Sequence, residues 1–165
     1  FMFNYAINNN IKKVCIVPEK RKELTTEGGL DLNKKFKFLS TNLPKLMNKG
    51  IEVSLFIDPI PNNIVMVKKL GVKAIEIHTG SYANSQNRKN NIHLRKIKNV
   101  TRIALNNQIR VSAGHGLNFD NVKNIIKITG IEELNIGHFI IGEAIFYGLE
   151  NVILKMLSLM KKKKK

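Results

Sequence analysis

Five short runs of β-branched and other apolar residues punctuate the chain: VCIVP (14–18), IEVSLFI (51–57), AIEIH (74–78), IRVSA (109–113) and ELNIG (133–137). Each gives way to polar or glycine residues and then to a segment with helical periodicity. Strand and helix therefore alternate five times, the pattern of an α/β fold with a parallel sheet. Strands buried on both faces read as near-continuous apolar runs, as most of these do. Successive run ends lie about 20 to 40 residues apart, enough for right-handed crossovers. A doubly wound open sheet and part of a (β/α) barrel both fit. No GxGxxG follows the first run, which weighs against a dinucleotide site.

The helical stripes are specific. Phe36, Leu39, Leu43, Leu46 and Met47 recur at three- and four-residue steps before Gly50, and Ile64, Val67 and Leu70 do so before Gly71. Ile97, Val100, Ile103 and Ala104 form a third stripe. Val122, Ile125 and Ile126 form a fourth, with Asp120 or Asn121 as cap and Gly130 beyond its end. Ile141, Ala144, Ile145, Gly148, Leu149, Val152 and Met156 form the last and longest.

At 165 residues and 43% hydrophobic, the chain can build one domain with a core, expected over residues 1–160. Lys161–Lys165 is expected to be a disordered, solvated tail. The formal charge is +16, which raises the reading of a basic nucleic-acid-binding domain. Lys, Asn and Ile are spread through every segment, however, and there is no Trp, stacking motif or zinc spacing. The charge thus reads as compositional drift, and nucleic acid is not the expected partner. Cys15 is the single cysteine, so no intramolecular disulfide can form, consistent with a reducing, cytoplasmic setting. Within VCIVP it reads as a packed core thiol. No run of about 18 apolar residues is present, and FMFNYAINNN lacks the basic start of a signal peptide.

The residues at the ends of the runs carry the chemistry: Pro18-Glu19-Lys20, Asp58-Pro59, Glu76 with His78-Thr79-Gly80, Gly114-His115-Gly116, and Asn135 with Gly137-His138. In parallel α/β folds these ends lie on one face, and in a closed barrel they converge on one pocket. A single strand-end histidine is ordinarily a packing or capping residue. Several ends of the same chemical kind point instead to acid/base work beside backbone that a ligand can approach. Glycines let a phosphate oxygen near backbone N–H groups, and barrels often hold phosphate after their last two strands at a helix start. The residues alone suggest a phosphorylated small molecule and a histidine placed for proton transfer.

CIVPEKRKELTTEGGLDL, VSLFID, IEIHTGSYA, AGHGLNFDNV and ELNIGHFIIGEAIFYGL resemble, in order, successive motifs of the pyridoxine 5′-phosphate synthase family, from Val14 to Met160. The resemblance implies a TIM (β/α)8 barrel with added helices, assembled as an octamer. It also implies condensation of 1-deoxy-D-xylulose 5-phosphate with 3-amino-2-oxopropyl phosphate to pyridoxine 5′-phosphate, phosphate and water, with no metal or organic cofactor. His115 resembles the family's proton donor and Glu76 its transition-state-stabilising carboxylate. Gly116, Gly137 and His138 resemble the phosphate-side contacts. Thr25 resembles the substrate-contacting threonine of the mobile loop, with Thr26 the candidate in a shifted register. Asp58 and His78 fall in matching motifs without an implied catalytic role.

Nothing here matches the family's first three strands, which carry an Asn-x-Asp-His motif, a His and Arg of the second strand region, and the Glu of the third. Phe119, where tyrosine is common, and Glu143 are smaller departures. The expectation is a partial barrel, strands four to eight with their helices: an N-terminally truncated fragment, poorly folded and inactive alone. The competing readings are another phosphate-binding barrel lyase or synthase, a non-catalytic remnant, and the basic nucleic-acid-binding domain.

Overall fold

The computed structural model describes residues 2–9, 11–18, 28–85 and 92–161. Thr25, Thr26 and Lys162–Lys165 lie outside the described residues. The elements run α1 (Met2–Asn8), β1 (Lys13–Ile16), α2 (Leu32–Met47), β2 (Glu52–Ile57), α3 (Pro61–Lys69), β3 (Ala74–His78), α4 (Gly80–Ala83), α5 (Ile92–Asn106), β4 (Arg110–Gly114), α6 (Val122–Ile125), β5 (Ile131–Asn135), α7 (His138–Tyr147) and α8 (Leu149–Met160).

The five strands form one all-parallel sheet in chain order, β1-β2-β3-β4-β5. Each strand pairs with the one before it, so the described strands show no reversal of order of the doubly wound kind. This α/β architecture is compatible with part of a (β/α) barrel. The register sets Phe56 beside Glu76, Glu76 beside Ser112, His78 beside Gly114, and Gly114 beside Asn135. The C-terminal strand ends thereby stand side by side.

Alternation gives the sheet two unlike faces. Leu55, Ile57, Ile75, Ile77, Val111 and Ala113 are buried in the main core with Leu39, Leu43, Ile64, Val67, Ile97 and Val100 from α2, α3 and α5. The opposite face carries Lys13, Cys15, Glu52, Ser54, Arg110 and Ser112, which line an open cavity of about 610 Å³. There Arg110 Nη2 meets Glu52 Oε2 at 2.8 Å and Lys13 Nζ lies 3.7 Å from Glu52 Oε1.

The helix starts reflect local chemistry. The Asp31 carboxylate caps α2 by accepting the Lys34 N–H at 3.2 Å, and Pro61 sits in the first turn of α3, where a missing N–H costs nothing. Gly71, at φ 71°, comes after the end of α3 where an L side chain would be strained.

Several expectations are corrected. Cys15 is exposed on the open face of edge strand β1 rather than packed in the core. Full two-sided burial holds for β3 and not for the edges β1 and β5. The last strand occupies 131–135, two residues before ELNIG, because Ile136 and Gly137 already turn into α7. The long final helix is two helices, broken at Gly148, whose φ of 79° no helix accommodates. Val152 and Met156 of α8 are buried, whereas Ile145 and Phe146 of α7 are about four-fifths exposed, at 78% and 80%. Asn121 stands at the cap of α6 without capping it; its amide holds the preceding loop instead.

Candidate functional site

The strand ends close on a second cavity of about 460 Å³, lined by Phe56, Glu76, His115, Asn135, Gly137 and His138 among others. β3 supplies Glu76, the turn after β4 supplies His115 and Gly116, and the start of α7 supplies Gly137 and His138. The structure therefore brings Glu76, His115, Gly116, Gly137 and His138 to one cavity, while Asp58 and His78 do not line it.

Glu76 is buried, and Oε2 accepts from Asn135 Nδ2 at 2.7 Å and from the Cys15 thiol at 3.6 Å. Burial raises its proton affinity above the ordinary carboxyl range, more than these donors lower it. A carboxyl held this way keeps its proton closer to neutrality and can exchange it with a substrate. Gly114 explains its placement: a Cβ there would collide with Glu76 Oε1 and come 2.8 Å from the Asn135 carbonyl. Although Cys15 is exposed on the open face, its Sγ leans onto buried Glu76, and this partial desolvation pushes the thiol up to about 11, with the Glu76 charge adding to the effect. At neutral pH Cys15 is a hydrogen-bond donor to the carboxylate and not a nucleophile.

His115 is half-buried and adopts φ 81°, in the left-handed region. Such a backbone costs a non-glycine residue roughly 1–2 kcal/mol and is held by its surroundings. Here Thr79 is fully buried; its N–H donates to the Gly114 carbonyl at 2.8 Å, and its hydroxyl lies 2.7 and 2.6 Å from the Gly114 and His115 carbonyls. Asn121 Nδ2 donates to the Gly116 carbonyl at 3.0 Å, and Asn121 Oδ1 accepts the Asn118 N–H at 2.8 Å. These bonds all run through backbone groups, so the turn is braced independently of the imidazole that lines the cavity.

The glycines divide by cause. Gly116 has φ 74° and a Cβ there would stand 2.7 Å from Ala83 Cβ, so the backbone alone requires glycine. Gly137 has an ordinary φ of −97°, and a Cβ there would meet nothing within 4 Å. Its bareness opens the space ahead of α7, where the first N–H groups of the helix and its dipole favour an anion. Gly137→Val is expected to leave the melting temperature nearly unchanged and to weaken phosphate binding tenfold or more, on the order of 1.4 kcal/mol. Calorimetric titration with inorganic phosphate checks this; unchanged binding places the anion elsewhere.

Sequence reasoning named Thr79, Asn135, Asp58 and His78 only as residues after strand runs, and Asn121 only as a helix cap, without a role in the site. Their bracing roles had no signal in the sequence, since their partners lie on other elements.

Fold and site together define an α/β protein that gathers acid/base side chains and an anion-friendly helix start at the C-terminal edge of a parallel sheet. The chain belongs to the family described as pyridoxal phosphate biosynthesis protein PdxJ, whose model matches residues 1–162. A pyridoxine 5′-phosphate synthase of Zymomonas mobilis subsp. mobilis is 47% identical over 159 residues, covering 96% of this chain and 62% of the relative. The enzyme of the same description from Blochmanniella floridana is 47% identical over 152 residues, covering 92% and 62%. That of Geobacter sp. strain M21 is 47% identical over 161 residues, covering 97% and 67%. The chain thus spans 62–67% of the length of these relatives. Among the described residues, no helix is long and apolar enough to cross a membrane.

Proposed function

We propose that this chain forms the β3–β5 side of the active site of a pyridoxine 5′-phosphate synthase, acting on two phosphorylated substrates. The observation that carries the reading is the convergence of Glu76, His115 and the Gly137-His138 helix start on one cavity. In this reading the sheet is part of a (β/α)8 barrel, strands four to eight. 3-Amino-2-oxopropyl phosphate and 1-deoxy-D-xylulose 5-phosphate condense between the strand ends. Gly116, Gly137 and His138 hold phosphate, and His115 donates the proton that lets a leaving oxygen depart. Glu76, in the ionised form that the Asn135 and Cys15 hydrogen bonds favour, stabilises positive charge that develops on the amine-derived nitrogen. Thr25 contacts substrate from the segment before Gly28. The chemistry uses proton transfer by side chains and positioning by side chains and backbone N–H groups.

The test is incubation of the assembled protein, this chain together with strands that close its sheet, with both substrates. Mass spectrometry is expected to find pyridoxine 5′-phosphate accumulating with time. A folded, assembled protein that makes none overturns the reading.

A further inference from the structure

Behind the His115 wall lies a pair of groups that do not line the cavity. His78, the last residue of β3, is 8% exposed, and its Nδ1 stands 2.8 Å from Asp58 Oδ1 at the end of β2. Asp58 Oδ1 also accepts the Gly29 N–H at 3.1 Å, and Asn63 Nδ2 donates to the Asp58 carbonyl at 3.0 Å. Gly29 has no room for a Cβ, which would collide with the Asp58 backbone N, so the chain before α2 is pressed onto this corner. His78 Nε2 is buried with no hydrogen-bond partner among the described residues.

Its surroundings show where Nε2 faces. A Cβ on Gly80 would come 2.5 Å from His78 Nε2 and 2.9 Å from His115 Cδ2, so both edges share the space this glycine leaves open. The two imidazoles have centroids 4.9 Å apart at 55°, and Phe56 closes another side of His78 at 5.2 Å. A proton on Nε2 would be a buried donor without an acceptor, which is costly. A proton on Nδ1 is met by the Asp58 carboxylate, which the His78 hydrogen bond keeps ionised below the usual carboxylate range.

We propose that Asp58 and His78 form a positioning pair for His115: Asp58 fixes the His78 tautomer with its proton on Nδ1, and the Nε2 lone pair turned toward His115 favours the protonated, donor form of that ring. His78 and Asp58 act through His115 and touch no substrate. The inference deepens the reading of His115 as a proton donor and rests on it for its purpose, although the electrostatic coupling stands without any reaction.

Among the described residues, Glu76 of β3 and His138 at the start of α7 share the His115 cavity, Asp120 lies in the loop beyond it, and α4 presents Gly80 to its ring; neither substitution alters any of these. In Asp58→Asn the amide can donate to Nδ1, which drives the His78 proton to Nε2 and points an N–H at His115. In His78→Phe an aromatic ring stays in place and the lone pair is lost.

The experiment tracks deuterium exchange at the imidazole Cε1–H against pH by peptide mass spectrometry, in the assembled protein. It resolves each histidine and needs no turnover. In both variants the His115 proton dissociation constant is expected to rise about three- to tenfold, with Asp58→Glu near wild type and His93 unmoved. A His115 midpoint unchanged in both Asp58→Asn and His78→Phe overturns the proposal, as does an equal shift at His93, which would report global loosening. Normal turnover by a His115 variant would instead refute the donor reading and leave the exchange result intact.

Discussion

Replacing His115 with alanine in the assembled protein is expected to lower turnover about 10²–10⁴-fold, the usual contribution of a positioned acid/base group. Stability should change little. The turn is held by Thr79 and Asn121 through backbone carbonyls of Gly114, His115 and Gly116, and these bonds survive the substitution. The half-buried ring packs on His78 at 4.9 Å, a modest contact to lose. His115→Gly sharpens the contrast. The residue sits at φ 81°, so glycine relieves backbone strain and should hold or raise the melting temperature while turnover collapses. Near-normal turnover in either variant contradicts the assignment. A collapsed melting temperature in both would show that the histidine is structural.

The second large effect concerns the 165-residue chain by itself, which is expected to show no ring closure and to associate or aggregate. Among the described residues β1 pairs only with β2, and β5 only with β4, so both outer edges offer unpaired backbone groups. The sheet face bearing Lys13, Cys15, Glu52 and Arg110 opens onto the cavity of about 610 Å³, where a barrel would place its remaining strands. On α7 and α8, Ile141, Ile145, Phe146 and Leu154 are all more than half exposed. An apolar surface of that kind calls for a covering partner. Chemically, the cavity as described holds Glu76 and His115, and the family resemblance implies a further His and Glu from motifs that these 165 residues do not match. Groups that act as a unit do not keep part of the rate when part of the unit is missing. Light scattering and product analysis on the isolated chain check both halves. A monodisperse chain that melts cooperatively and makes pyridoxine 5′-phosphate unaided contradicts them.

Much of this architecture is written locally. The runs at 51–57 and 74–78 became β2 and β3 almost residue for residue, because strands buried by helices on one face need β-branched residues there. The stripe through Leu39, Leu43 and Leu46 became the buried face of α2, since a period of 3.6 is a property of neighbours in sequence. Edges were less legible. VCIVP has the composition of a doubly buried strand, yet its position at the sheet edge exposes Cys15, and position in a sheet is not a local property. The apolar stripe through 141–156 continues across Gly148, so periodicity alone could not show that the backbone turns there.

The site divides along the same line. His115, Glu76, Gly116, Gly137 and His138 were legible because strand-end polar residues and glycines stand out against apolar runs. The supports were not. Asn135 reaches Glu76 across 59 residues, Thr79 reaches Gly114 across 35, and His78 reaches Asp58 across 20. Nothing in the spacing of one strand announces a hydrogen bond to its neighbour. The register that sets Glu76 beside Ser112 and Gly114 beside Asn135 makes those bonds possible, and register is fixed only when the sheet assembles.

The central claim is that the Glu76–His115 cavity closes a pyridoxine ring and does not merely cleave a phosphorylated sugar. Two phosphorylated substrates enter that condensation and one phosphate remains on the product, so the reaction releases one inorganic phosphate for each ring formed. The decisive measurement is the ratio of inorganic phosphate to pyridoxine 5′-phosphate in one incubation of the assembled protein, repeated with Glu76→Gln. Equimolar release is expected, with both products lost together in the variant. Phosphate released without ring product, or ring closure undiminished by Glu76→Gln, would contradict it.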